Sequence, residues 1–197
     1  QLGRLIPVQR VVDLAVDKPG LEREMALVKV AGDGEKRAEA LRLLHEAGCE
    51  VYIATNQAGV ARGLYSRRTL LDMHLRLRLV VAQAGGRIHG LAYCPHGPED
   101  GCACRKPRPG LLQKLAAKYG LNPRRSVMVG DSDKDLEAGH AVGCRTIFLH
   151  TRPPDRAVAH LQRCPVKPDY EARNLLEAVP IILTALQAHR SPAPSWP

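Results

Sequence analysis

The sequence predicts an α/β protein built on a doubly wound parallel sheet with helices on both faces. Three observations predict it. From about residue 33 onward, short β-prone runs alternate with stretches of helical spacing. The helical stretches are punctuated by Gly or Pro, or opened by a capping Ser or Asp. Polar motifs rich in Thr, Asn, Lys and Asp follow the apolar runs, where parallel sheets place their ligand sites.

Residues 33–47 carry Ala38, Leu41, Leu44 and His45 at helical spacing, with Gly48 as a C-terminal stop. Val51 to Ala54 is a short β-prone run that ends in Thr55-Asn56-Gln57. Ser66 can cap a helix running to about Ala84, stopped by Gly85-Gly86. Ile88 to Tyr93 reads as the next strand and leads into a loop rich in Cys and His. Pro109 suits the first turn of a helix through Tyr119, with Gly120 after it. Ser126 to Val129 reads as a buried strand, followed by Gly130-Asp131-Ser132-Asp133-Lys134-Asp135. A helix over about 133–142 and a strand over 146–149 complete the unit. A last helix over about 172–188 carries Leu175, Leu176, Val179, Ile182 and Leu186. One domain is expected over 1–190, atypical in 1–34, with 191–197 as a disordered tail.

Composition narrows the function. The chain has 197 residues, 45% of them hydrophobic and 25% charged, which is enough to bury its own core. Aromatics make up 4%, so Leu, Val, Ala and Ile must build that core and stacking platforms for single-stranded nucleic acid are scarce. The formal net charge of +9 favours anionic partners, yet Arg67, Arg68, Arg76 and Arg78 read as the solvated face of a helix. A small anionic substrate is expected rather than nucleic acid. No apolar run approaches the roughly 18 residues of a membrane span. The opening residues lack the apolar centre of a secretory signal, and a cytoplasmic monomer is expected. Three of the six cysteines fall within eleven residues beside a His, which reads as a metal site rather than a disulfide framework. Cys49 and Cys144 read as small buried hydrophobes, and the compartment as reducing.

Cys94, His96, Cys102 and Cys104 can close around one tetrahedral zinc. Four protein ligands leave no open position, so the metal would be structural and would aim the adjoining Arg105 and Lys106. Lys106 offers a point charge and Arg105 a fork for phosphate. Thr55 and Asn56, closing an apolar strand, offer a hydroxyl and amides to the same anion. Asp131, at the end of another strand, suits Mg²⁺, which takes one or two carboxylates together with substrate phosphate. Asp135 is expected to support loop backbone or a metal-bound water, and Asp133 to cap the helix.

The segments Thr55-Asn56-Gln57-Ala58-Gly59-Val60-Ala61-Arg62-Gly63, Cys94-Pro95-His96…Cys102-Ala103-Cys104-Arg105-Lys106-Pro107 and Gly130 to Asp135 together resemble the haloacid dehalogenase superfamily of aspartyl-phosphate phosphatases. They are most similar to the branch containing the heptose 1,7-bisphosphate 7-phosphatases of lipopolysaccharide precursor synthesis and the histidinol-phosphate phosphatases. The resemblance runs over about 35–185. It implies a Rossmann-like fold with little or no cap domain, Mg²⁺ and zinc as cofactors, and phosphomonoester hydrolysis of a phosphorylated sugar. It implies that Thr55, Asn56, Arg62, Arg105 and Lys106 meet the substrate and that Asp131 holds magnesium. The family opens with Asp-x-Asp-Gly-Thr, whose first Asp attacks phosphorus and whose second moves protons. This chain has Asp13-Leu14-Ala15-Val16-Asp17-Lys18-Pro19-Gly20 instead. Spacing to Thr55 favours Asp13 as nucleophile, with Ala15 in the acid's place. Matching Asp-x-x-Gly favours Asp17, with Pro19 there. Neither alignment restores the pair, so a sugar-phosphate-binding homologue with impaired catalysis is the alternative.

Overall fold

A computed structural model describes residues 34–151, 161–162 and 164–187 in full, and the backbone of strands 8–14 and 23–30. The elements are β1 (Val8–Leu14), β2 (Arg23–Val30), α1 (Gly34–Glu46), β3 (Cys49–Asn56), α2 (Arg67–Gln83) and β4 (Gly90–Cys94). They continue with α3 (Gly110–Tyr119), β5 (Leu121–Gly130), α4 (Asp133–Val142), β6 (Arg145–Leu149), β7 (Tyr170–Ala172) and a final helix, α5 (Leu175–Gln187). The sheet runs β4-β3-β1-β2-β5-β6-β7.

Alternation along the strands builds the two layers. Val51 and Ile53 of β3, Val127 and Val129 of β5, and Ile147 and Leu149 of β6 face one side. There they meet Leu41 and Leu44 of α1 and Ala178, Ile182 and Leu186 of α5. Tyr52, Ala54 and Met128 face the other side and pack with Leu111, Leu112 and Leu115 of α3 and Ala138 of α4. Each fully buried Leu or Ile contributes about 1.5–3 kcal/mol over an exposed one. The inner strands β3 and β6 and the end of β5 are covered on both faces, which is why these runs are continuously apolar.

Helix ends follow local chemistry. Ser66 accepts a hydrogen bond from the Thr69 N–H at 3.0 Å and starts α2. Gly120, at φ 66°, ends α3 in the left-handed conformation that glycine adopts without penalty. Asn174 accepts from the Glu177 N–H at 3.0 Å, so α5 starts at Leu175 rather than near 172. The preceding residues form β7, too short at three residues for a periodic signal.

One strand departs from the expected parallel sheet. β1 runs antiparallel to β2 and β3, while β2 lies parallel to β3 and β5. Residues 15–22 are all that join β1 to β2. A parallel pair needs a crossover of about a dozen residues or more, so a connection this short makes the pair antiparallel. Only residues 57–66 lie between β3 and α2, and the described residues contain no inserted cap. No described helix is long and apolar enough to cross a membrane. The expected tail, 191–197, lies outside the described residues.

Candidate active site

The C-terminal edge of the parallel strands collects the polar motifs. Thr55 and Asn56 close β3, level with Tyr93 and Cys94 of β4. Thr55 is buried, and its Oγ1 accepts a hydrogen bond from Gln57 Nε2 at 3.0 Å. Gln57 is buried too, and its Oε1 accepts from the Tyr65 hydroxyl at 2.7 Å. Asn56 faces the loop after β4. Its Nδ2 donates to the Lys106 carbonyl and its Oδ1 accepts from the Lys106 N–H, both at 3.1 Å. One side-chain amide thus clamps a backbone 50 residues away.

Lys106 is buried to 1% exposure, with its Nζ donating to the Ala54 carbonyl at 2.9 Å. The same ammonium pairs with Asp135 Oδ1 at 3.0 Å. Asp135, in the first turn of α4, accepts from Ser132 Oγ at 2.8 Å through its other oxygen. A buried charge costs several kcal/mol unless paired, and these partners meet that cost from both sides. Gly130 makes room for the arrangement: a Cβ there would lie 2.3 Å from that of Asp135. Next to it, buried Asp131 accepts from Thr151 Oγ1 at 3.1 Å through Oδ2. The amino end of α4 follows directly and favours negative charge. Lys106 therefore ties β3, the loop after β4 and α4 into one pocket wall.

That loop is organised by Cys94, His96, Cys102 and Cys104, whose ligand atoms all lie within 4.8 Å of one another. Cys94 Sγ is 3.5 Å from His96 Nδ1 and 3.6 Å from Cys102 Sγ. Cys104 Sγ is 3.3 Å from His96 Nδ1 and 3.5 Å from Cys102 Sγ. Zinc–sulfur bonds of about 2.3 Å in a tetrahedron place ligand atoms a little under 4 Å apart, so the donor set fits zinc. Burial pushes the Cys94 thiol up to about 12 and raises Cys104. Cys102 also feels burial, yet hydrogen bonds from Cys104 and Cys94 and from the Arg105 backbone bring it down to about 7. Two thiols held protonated beside one poised to ionise are a set that a divalent cation would convert to thiolates.

Arg105 Nη1 donates to the His96 carbonyl at 3.0 Å, and Arg108 Nη1 to the Cys102 carbonyl at 2.7 Å. The metal loop thus anchors both guanidinium groups. It closes against α3 at Gly110, where a Cβ would sit 2.5 Å from the Ala103 carbonyl oxygen. The Ala61 N–H donates to the Pro95 carbonyl at 3.2 Å, which joins the loop carrying Arg62 to the Cys/His loop. Arg62 is exposed on that loop.

The structure brings Thr55, Asn56, Arg105, Lys106, Asp131 and Asp135 to one edge. Asp135, expected to support loop backbone or a metal-bound water, also pairs with Lys106. Ser132 precedes α4 as its cap residue and Asp133 is its first helical residue, so the expected Asp133 cap moves by one. Asp13 is not brought there. The antiparallel register of β1 sets it level with Glu50, at the opposite end of β3 from Thr55. Asp17 lies outside the described residues. Gln57, Tyr65 and Thr151 went unremarked as site residues. Thr151 could have been found by the signal that found Thr55, a hydroxyl just past an apolar strand. For magnesium, Asp131 is a fitting oxygen ligand, and Asp135 is committed to Lys106.

A buried Lys on a loop, an Asp behind a parallel strand and a strand-ending Thr at one sheet edge are a set that could bind a phosphoryl group. The HAD-hydrolase-like family model matches residues 103–178. The D-glycero-beta-D-manno-heptose-1,7-bisphosphate 7-phosphatase of Pseudomonas aeruginosa is 49% identical over 113 residues, 57% of this chain and 64% of that protein. The protein of the same name from Pseudomonas putida is 46% identical over 61% of this chain and 69% of the relative. A crystal structure of the D,D-heptose 1,7-bisphosphate phosphatase of B. bronchiseptica, complexed with magnesium and phosphate, superposes with a TM-score of 0.70. It shares 34% identity and is covered over 85% of its length, against 79% of this chain. The chain belongs to the HAD-like hydrolase family, in the branch of these heptose bisphosphate phosphatases. The match to the Pseudomonas aeruginosa relative spans just under two thirds of that protein's length.

Proposed function

We propose that the chain hydrolyses a phosphomonoester with Mg²⁺, releasing the 7-phosphate of a D-glycero-D-manno-heptose 1,7-bisphosphate. The observation that carries this reading is the continuous chain of contacts from Asn56 through Lys106 to Asp135 and on to Ser132. It supports an anion bound between the end of β3 and the start of α4. In this reading the Lys106 ammonium neutralises phosphoryl oxygens, the Thr55 hydroxyl donates to them, and Arg62 and Arg105 meet the rest of the substrate. Asp131 would hold magnesium, which when bound withdraws charge from the phosphoryl group. Cys94, His96, Cys102 and Cys104 would hold zinc and keep the Arg105 and Lys106 segment in place. Free thiols in such a site suit a reducing compartment, which favours a cytoplasmic enzyme. The test is phosphate release from heptose 1,7-bisphosphate beside histidinol phosphate, with and without magnesium. Magnesium-dependent release from the heptose substrate supports the reading, and release from histidinol phosphate alone overturns the choice of substrate.

A specific observation favours a second reading, a sugar-phosphate-binding homologue without full catalysis. Ala15 or Pro19 stands where the proton-transferring carboxylate belongs, and Asp13 lies at the far end of the sheet. Positioned proton transfer contributes about 10²–10⁴-fold, so its loss leaves binding but little turnover. Calorimetric binding of the sugar phosphate without product release supports this second reading; turnover at ordinary rates excludes it.

A further inference from the structure

We infer that Gln57 and Tyr65 are positioning residues that set the direction of the Thr55 hydroxyl towards bound phosphate. The inference rests on the phosphate-site reading above and adds residues to it. Thr55 Oγ1 accepts from Gln57 Nε2 at 3.0 Å, so one lone pair is occupied and the hydroxyl proton remains to be donated. Were the amide turned over, its oxygen would face Thr55 and take that proton itself. In the orientation seen, the Tyr65 hydroxyl lies 2.7 Å from Gln57 Oε1 and donates to it, which directs the amide oxygen towards Tyr65 and the amide NH2 towards Thr55.

The surroundings make this a built arrangement. Thr55 is 1% exposed and Gln57 3%, so water does not substitute freely for either partner. The Gln57 N–H donates to the Cys94 carbonyl at 2.7 Å, which pins its backbone to the end of β4. Gly59 lets the Tyr65 ring close over the turn, since a Cβ at 59 would lie 2.3 Å from a ring carbon. The 57–65 turn is held by the Val60 N–H to the Gln57 carbonyl and the Leu64 N–H to the Gly59 carbonyl. The relay thus runs from a partly buried phenol to the strand-ending hydroxyl without touching the substrate.

The experiment measures orthophosphate binding to the full chain with magnesium and zinc present, by calorimetry, for the unmodified chain and for Q57L, Y65F, T55V and the Q57L/T55V double variant. Thermal melting of each variant checks that it folds. Q57L is expected to weaken phosphate roughly tenfold or more, the value of a hydrogen bond to a charged group, and Y65F by a smaller factor. In the T55V background Q57L is expected to add little, because its effect passes through the Thr55 hydroxyl. A Q57L loss of the same size with and without Thr55 overturns the relay, as does unchanged binding in a folded Q57L chain. Failure of the unmodified chain to bind phosphate overturns the phosphate site itself, and the relay with it.

Discussion

Lys106 and Asp135 are each almost wholly buried, and neither charge is viable there alone. Replacing Lys106 with Met removes the ammonium that pairs with the buried Asp135 carboxylate, and is expected to cost about 3–5 kcal/mol of stability. Denaturant unfolding checks the loss. Adding D135L to K106M is expected to recover much of it, because two apolar groups replace a broken pair, while phosphate binding stays absent. His74 is buried against Tyr93, and neither ring nitrogen finds a hydrogen-bond partner among the described residues. Burial and then the nearby Arg78 charge lower its pKa to about 4, against an ordinary 6.5. The unfolded chain therefore binds the proton first as pH falls. Stability is complete above pH 6.5 and is lost between 6.5 and about 4, by up to ~3 kcal/mol. Unfolding of H74L across that window is expected to lose this slope, and an unchanged slope would assign it to other groups. Thr55, Lys106 and Asp131 were readable from sequence because each stands beside a strand end or a metal motif. The Lys106–Asp135 pair was not, since a contact between side chains 29 positions apart leaves no local pattern.

The Cys/His loop is the element on which the site depends most. Its four ligand atoms already stand at tetrahedral separations, and its carbonyls anchor Arg105 and Arg108. One zinc per chain is expected by elemental mass spectrometry, and C102S is expected to lose it. With the metal gone, Arg105 and the Lys106 backbone lose their frame, so phosphate affinity is expected to fall at least about tenfold although no phosphate contact was mutated. Retained affinity in metal-free C102S would show that the Asn56 clamp is sufficient. Spacing alone exposed this loop, because soft ligands so close together have few other uses. Most of the helices and strands were likewise readable, their periodicity matching the buried faces of α1, α3 and α5. β1 and β2 escaped, because an antiparallel partner inside an otherwise parallel sheet is decided by connection length and not by hydrophobic pattern.

Across the whole molecule, the sheet gathers Thr55, Lys106 and Asp131 at its C-terminal edge, while Asp13 lies level with Glu50 at the other end of β3. A chain given Asp-x-Asp-Gly-Thr behind an apolar first strand is expected to release phosphate at least about 10²-fold faster than the present one. No gain would mean that the remaining edge is itself incompetent. The carbonyl partner of Lys106 on β3 lies 52 residues before it in the chain, and its carboxylate partner follows β5, in α4. The contacts that hold Lys106 therefore span residues 54–135, and a fragment that lacks either β3 or α4 cannot form them. A phosphate bound there would report the joining of these elements: by mass action it would stabilise the joined state by about 2.7 kcal/mol at a hundredfold excess over its dissociation constant.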